Sequence, residues 1–138
     1  MNPILFTGSC FIDNRGSLLY NNIFDFERIK RCYIIENNIT NPIRAWQGHK
    51  IERRWFIAIL GDFKITLIKI DNWIAPSKYL NKNEFTLNSN SMDILQIPPG
   101  YISSIESLSQ SAKLLVMSDY HFNEIEDDYR FEKNYFNI

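Results

Sequence analysis

From Arg54 to Ile70 the chain carries β-branched and aromatic residues on both sides of a Gly61-Asp62 pair. Beyond that pair Phe63, Ile65 and Leu67 alternate with Lys64 and Thr66, the two-residue period of a half-buried strand. A helix would place these residues on all sides of its cylinder, so the segment has to be strand. Gly tolerates the positive φ of tight turns, and the spacing predicts a hairpin: Arg54-Trp-Phe-Ile-Ala-Ile-Leu60, a turn at Gly61-Asp62, then Phe63 to Ile70.

The same pattern recurs. Ser17 to Tyr20 follows a turn-like Asp13-Asn-Arg-Gly16, and Lys30 to Ile35, Glu84 to Leu87, Met92 to Ile97 and Ala112 to Met117 are further strand candidates. Pro98-Pro99-Gly100 cannot lie in a central ladder and marks a turn. The tail from Asn123 to Asn137, acidic first and with Arg130 and Lys133 later, suits a short helix dipole or a plain tail. Many short strands with Gly and Pro at the joints predict an all-β sandwich or barrel, one domain over residues 1–138. At that length a core forms without disulfides or metal, so Cys10 and Cys32, which have no metal-type spacing, are expected as reduced thiols.

Charge narrows the partners. Fifteen basic against 16 acidic side chains give a net charge of -1, which lacks the footprint of a nucleic-acid binder. No apolar run approaches the roughly 20 residues of a membrane helix, and the first residues do not read as a signal peptide. No membrane association and a cytoplasmic location are therefore expected, and Asn38-Ile-Thr carries little weight as a glycosylation acceptor.

Chemistry concentrates in Arg44-Ala-Trp-Gln-Gly-His-Lys50, followed by Glu52, Arg53 and Arg54. On a regular strand Arg44, Trp46 and Gly48 face one way and Ala45, Gln47 and His49 the other. His49 is suited to proton transfer near neutral pH, and arginine's planar fork to phosphate. The plainer alternative is a hydrogen-bonded strand histidine among solvated arginines. Tyr33, Tyr101 and Tyr120 are either phenolic acids, stacking rings or ordinary packing residues. Arg15 reaches a ligand, a partner subunit or neither, and Asp127-Asp128 reads as a solvated face. Two histidines, His49 and His121, without a third or a paired carboxylate, do not make a catalytic zinc site, so no metal or other cofactor is expected. No phosphate loop or nucleophile elbow is present.

In order, these residues resemble the sugar-nucleotide cupins: the WxcM-like proteins and dTDP-4-keto-6-deoxyglucose 3,4-ketoisomerases, and more distantly the dTDP-4-dehydrorhamnose 3,5-epimerases. The resemblance rests on Asp13-Asn-Arg-Gly-Ser-Leu18, Ile29-Lys-Arg-Cys-Tyr33, Arg44-Ala-Trp-Gln-Gly-His-Lys50, Gly61-Asp-Phe63, and Ser118-Asp-Tyr-His-Phe-Asn-Glu124 with Asp128-Tyr129. It implies a cupin, a jelly-roll-like β-barrel without metal, usually a homodimer, acting on a dTDP-linked 4-keto-6-deoxysugar by proton shuttling through an enediol. Carried over by position, His49 is the second motif histidine, Arg44 the motif arginine, Arg15 the arginine of the opening element and Tyr33 an aromatic position before the motif. Arg44, Arg15, Tyr33 and Arg54 are the expected substrate-binding residues; His49, Gln47, Tyr120 and Tyr101 the expected catalytic ones.

The chain also departs from that pattern. Gln47 stands where the family has its first motif histidine, Ile102 and Ser103 where a Trp-His pair follows the Pro turn, and His121 at the second tyrosine of the closing element. An amide cannot take a proton at neutral pH, though it can donate a hydrogen bond to a carbonyl or enolate oxygen. Two readings follow: an isomerase or epimerase with His49 as acid/base and Tyr101 or Tyr120 as second proton donor, or a non-catalytic cupin that binds a sugar nucleotide or a partner enzyme. A general ligand-binding barrel is a third.

Overall fold

The computed structural model describes residues 1–136 and, over them, contains strands and turns and no helix. Two five-stranded antiparallel sheets lie face to face. One contains β1 (Ile4–Phe6), β9 (Ile94–Ile97), β6 (Arg54–Leu60), β11 (Lys113–Ser118) and β4 (Arg31–Ile35) in that order. The other contains β12 (Tyr129–Arg130), β5 (Ile43–His49), β10 (Tyr101–Ser107), β7 (Asp62–Lys69) and β8 (Lys82–Asn88). A separate hairpin pairs β2 (Ser9–Asp13) with β3 (Gly16–Tyr20) and joins neither sheet.

The alternating residues meet between the sheets. Phe63, Ile65 and Leu67 of β7 are fully buried and pack with Phe56, Ala58, Leu95, Leu114 and Val116 of the facing sheet. The outer faces are covered as well. Phe24 packs on Trp55, Ile57, Ile94 and Met117 on one side; Trp46, Ile68, Ile70, Ile102 and Phe136 cluster on the other. Burial on both faces accounts for the unbroken apolar run of β6, since a strand with one wet face would alternate.

Gly61 does not make the expected hairpin. β6 pairs with β9 and β11, and β7 with β10 and β8, so the chain crosses at Gly61 from one sheet to the other. Its φ of 70° and a Cβ position only 2.4 Å from the Ser111 carbonyl oxygen both require glycine. The helix option for the tail is also overturned. Trp46 and Phe131 exchange backbone hydrogen bonds of 3.1 and 3.0 Å, and Tyr129 and Arg130 pair with Gly48 and Gln47, so the tail's backbone groups are satisfied by β5 instead of by a helix. Asn137, the last residue of that expectation, lies outside the described residues. The tail thus becomes an edge strand beside the histidine-bearing strand.

Candidate functional site

Between the edges of the two sheets, where β4 faces β5 and the tail passes over, lies an open cleft of about 690 Å³. Arg31 and Tyr33 line it from β4, Arg44, Gln47 and His49 from β5, Glu52 and Arg54 from the start of β6, and Phe122, Asp127, Asp128 and Arg130 from the tail. Regular alternation would turn Arg44 away from Gln47 and His49. The ladder instead slips: Ser103 pairs with Gln47 and Ile105 with Arg44, so Ala45 and Trp46 together oppose Ser104. Such a bulge reverses the facing of everything before it, and Arg44 enters the cleft. Gly48 allows β5 to lie close on β10, because a Cβ there would come within 2.3 Å of the Tyr101 carbonyl oxygen.

Asp127 organises the floor. Its carboxylate, buried despite the expectation of a solvated face, accepts the backbone N–H groups of Lys50 (2.9 Å), Ile51 (2.8 Å) and Glu52 (2.7 Å). Its backbone carbonyl oxygen lies 2.6 Å from His49 Nδ1. A carbonyl can only accept, so Nδ1 carries the hydrogen in the neutral ring and Nε2 keeps its lone pair. Burial, and then the positive charge of Arg54, hold the imidazole below its usual value, against the opposing pull of the Asp127 carbonyl and Glu52. The ring is thereby kept neutral, in the tautomer a base requires.

Beneath it, Glu52 and Arg54 form an ion pair, each only 7% exposed. Arg54 donates from Nε (3.0 Å) and from Nη2 to Glu52 Oε2, and from Nη1 to the Tyr33 hydroxyl at 2.6 Å. Glu52 Oε2 lies 3.7 Å from His49 Nδ1 and 3.4 Å from Ser118 Oγ. At the mouth, Gln47 Nε2 donates to Asp128 Oδ1 at 2.9 Å, while Arg130 holds Oδ2. A carboxylate offers no donor, so this bond fixes which way the amide points. Partial burial works against the Asp128 charge, but the bonds from Gln47 and Arg130 prevail and its carboxyl sits below the ordinary range.

Of the residues expected to form a site, His49, Gln47, Arg44, Tyr33 and Arg54 share the cleft. Arg54 is committed to Glu52 and Tyr33, whereas the bond that Arg44 makes among the described residues is a 3.4 Å one to Asn37. Tyr101 is buried below, in a space of about 30 Å³ also lined by His49 and Tyr33, and its hydroxyl donates to the Met1 carbonyl at 3.2 Å. Burial pushes that phenol up from its ordinary value. Tyr120 is not among the lining residues, and Arg15 sits at the tip of the β2–β3 hairpin, 84% exposed and paired with Asp13. Sequence reasoning missed Arg31, Asp127, Asp128 and Arg130 as cleft residues. Arg31 was legible in principle, two residues before Tyr33 on the same face of a strand; the tail residues were not. No group of three His, Cys, Asp or Glu side chains that could hold a metal ion occurs among the described residues.

Comparison with known proteins sharpens this picture. The sequence model of one protein family, described as "FdtA: WxcM-like, C-terminal", matches residues 7–138. Among solved structures, a mutant of the 3,4-ketoisomerase QdtA from Thermoanaerobacterium thermosaccharolyticum, in complex with TDP-4-keto-6-deoxyglucose, is 25% identical, with a TM-score of 0.71 over 97% of this chain and 91% of that one. The WlaRB TDP-quinovose 3,4-ketoisomerase from Campylobacter jejuni is 22% identical (TM-score 0.70, 97% and 96% covered). The dTDP-4-dehydrorhamnose 3,5-epimerase from Bacillus anthracis, solved with TDP and PPi bound, is 12% identical (TM-score 0.76, 96% and 80% covered). These last two share the cupin fold with this chain. No curated protein matches the sequence.

Proposed function

The chain belongs to the FdtA family of WxcM-like, C-terminal proteins, and from that premise we propose that it is an isomerase or epimerase of a dTDP-linked 4-keto-6-deoxysugar, working in the cytoplasm in bacterial surface-polysaccharide sugar biosynthesis. The observation that carries the reading is His49: a buried imidazole, held neutral by burial and Arg54 and fixed in one tautomer by the Asp127 carbonyl, with Nε2 unpartnered among the described residues in a cleft that also contains Arg44. The family relative solved with TDP-4-keto-6-deoxyglucose supports the choice of ligand.

In this reading Nε2 of His49 takes the acidic proton from the carbon beside the sugar carbonyl and returns it after the double bond has moved, a shift that one base on one face of the enediol can perform. Gln47, its amide oriented by Asp128, polarises the carbonyl through its remaining N–H. Arg44 holds the diphosphate in bidentate fashion. We infer a homodimer as well. The β2–β3 hairpin leaves Phe11, Ile12 and Leu18 more than half exposed, and a lone two-stranded ribbon of that kind gains most from a second copy. Arg15, exposed at its tip and held by Asp13, is then placed to meet a neighbouring subunit.

A second reading, a cupin that binds a sugar nucleotide or a partner enzyme without chemistry, draws on Gln47 at the position of the family's first histidine. One experiment separates them: incubation with dTDP-4-keto-6-deoxyglucose in D₂O, with the sugar protons followed by NMR. Deuterium entering at C3, and absent with His49→Ala, establishes the enzyme; binding without exchange establishes the second reading. Arg44→Ala is expected to weaken binding markedly, and an unchanged affinity would remove the sugar nucleotide from both.

A further inference from the structure

Resting on the sugar-nucleotide ligand that both readings share, we propose that the turn from His121 to Glu124 is the nucleobase platform of the cleft. The Phe122 ring stacks on the base, and the Asn123 carboxamide hydrogen-bonds its polar edge. A nucleotide sugar has three parts. His49 and Gln47 meet the sugar and Arg44 the diphosphate, which leaves the base. The cleft, at about 690 Å³, is large enough for the whole ligand, so its remaining wall has to receive a flat ring with a hydrogen-bonding edge. Bases are held in such places by stacking on aromatic side chains, whatever their sequence.

Among the described residues, Tyr33 and Phe122 are the aromatic side chains that line the cleft. The Tyr33 ring is already flanked by two guanidinium groups, Arg31 at 5.3 Å and Arg54 at 5.8 Å from its centroid, and its hydroxyl is bonded to Arg54. Phe122 has one cation against it, Arg31 at 5.5 Å, and is still 73% exposed. It belongs to none of the apolar clusters of the fold, so packing does not explain its position. A base covers such a ring without asking a hydrogen bond of it. Arg31 points the same way. Its buried Nε has no partner among the described residues, so the neighbourhood of the ring is short of an acceptor, which a phosphorylated nucleoside supplies.

The platform is built locally. The Glu124 N–H donates to the His121 carbonyl at 3.1 Å and the His121 N–H to Glu124 Oε1 at 3.3 Å, so the four residues are closed by two bonds. Asn123, third in the turn, has a φ of 58°, in the left-handed region that asparagine tolerates better than most side chains. It lines the cleft beside Phe122, and its carboxamide makes no hydrogen bond to a described residue. An amide offers two N–H donors and an acceptor oxygen, the complement of a pyrimidine edge in which an N–H lies beside a carbonyl.

The test uses the full chain with Phe122→Ala, Phe122→Trp or Asn123→Ala, titrated with dTDP and with inorganic pyrophosphate, which has no base. Calorimetry is expected to show dTDP about 10-fold or more weaker on Phe122→Ala and about threefold weaker on Asn123→Ala, with pyrophosphate unmoved in both. Phe122→Trp is expected to keep the parent affinity, and dTDP, unlike pyrophosphate, to quench the emission of the added indole. In turnover of the ketosugar nucleotide, Phe122→Ala is expected to raise KM and spare kcat, since stacking on the base is the same before and during the reaction. Unchanged dTDP affinity in Phe122→Ala overturns the proposal and leaves the sugar-nucleotide reading standing. An equal loss for dTDP and pyrophosphate also overturns it, because the turn then serves the phosphates. Should pyrophosphate bind too weakly to measure, an indole at position 122 that dTDP fails to quench overturns it instead. A parent protein that does not bind dTDP sinks both.

Discussion

The space between the sheets and the floor of the cleft are equally dry, yet they are built on opposite terms. Leu67 and Glu52 are 0% and 7% exposed; the first packs in the apolar cluster between the sheets, the second meets an arginine, a serine hydroxyl and, through its backbone N–H, an aspartate. In the core, shape and area do the holding, and a lost methylene is felt in proportion. On the cleft floor each charge is tolerated only because its neighbours satisfy it, so removing one member strands the others. The lesson is that burial alone does not rank these positions: the core resists by packing, the cleft by mutual dependence.

The largest effect should therefore come from Glu52→Ala, which leaves the Arg54 guanidinium buried without its carboxylate. A loss of about 3–5 kcal/mol is expected in denaturant unfolding. An unchanged midpoint would mean that water already satisfies the pair. The paired replacement Glu52→Leu with Arg54→Met should recover much of that stability while losing carbonyl migration, which is the sharpest form of the comparison. Leu67→Ala, a pure core change, is expected to cost about 2–5 kcal/mol by the same measurement, with TDP affinity unaltered in calorimetry. If affinity falls with it, core and cleft are not separable.

A smaller effect is expected where the two regions touch. Gly48→Ala pushes a methyl group against the Tyr101 carbonyl, and β10 has to move away from β5. That strain should cost about 1–3 kcal/mol and displace His49, read as slower exchange at C3. Acid provides the gentlest probe. Burial and Arg54 depress the His49 value in the folded chain, so the folded state binds fewer protons than the unfolded one. The associated stability is fully present above about pH 6.5 and is lost as pH falls through the folded value. His49→Gln should flatten that slope in urea titrations at successive pH values, and an unaltered slope would assign it to another group.

Legibility followed the same division. β6, β7 and β11 were plain because core contact imposes a hydrophobic period on the sequence itself. β10 was not: Tyr-Ile-Ser-Ser-Ile-Glu-Ser lacks that period, and only its neighbours on both sides make it a strand. The motif from Arg44 to Lys50 marked the site, but not the bulge that brings Arg44 round to the side of His49, because a register slip belongs to two strands at once. Asp127 and Asp128 looked alike and acidic. Their partners lie some 75 to 81 residues earlier in the chain, a distance over which no local pattern acts. The tail's charge order suited a helix dipole, and pairing with β5 outweighed it.

The position of Asp127 along the chain also sets an order of events during synthesis. A ribosome that has released everything through β11 has supplied both sheets except for the short β12. At that moment the N–H groups of Lys50, Ile51 and Glu52 have no carboxylate to meet, and the imidazole of His49 has no carbonyl to fix its proton. The strands of both sheets are therefore supplied before the floor of the cleft by the time it takes to translate the next few residues, and a nascent chain halted in that interval lacks the contacts that fix His49 and the turn after it.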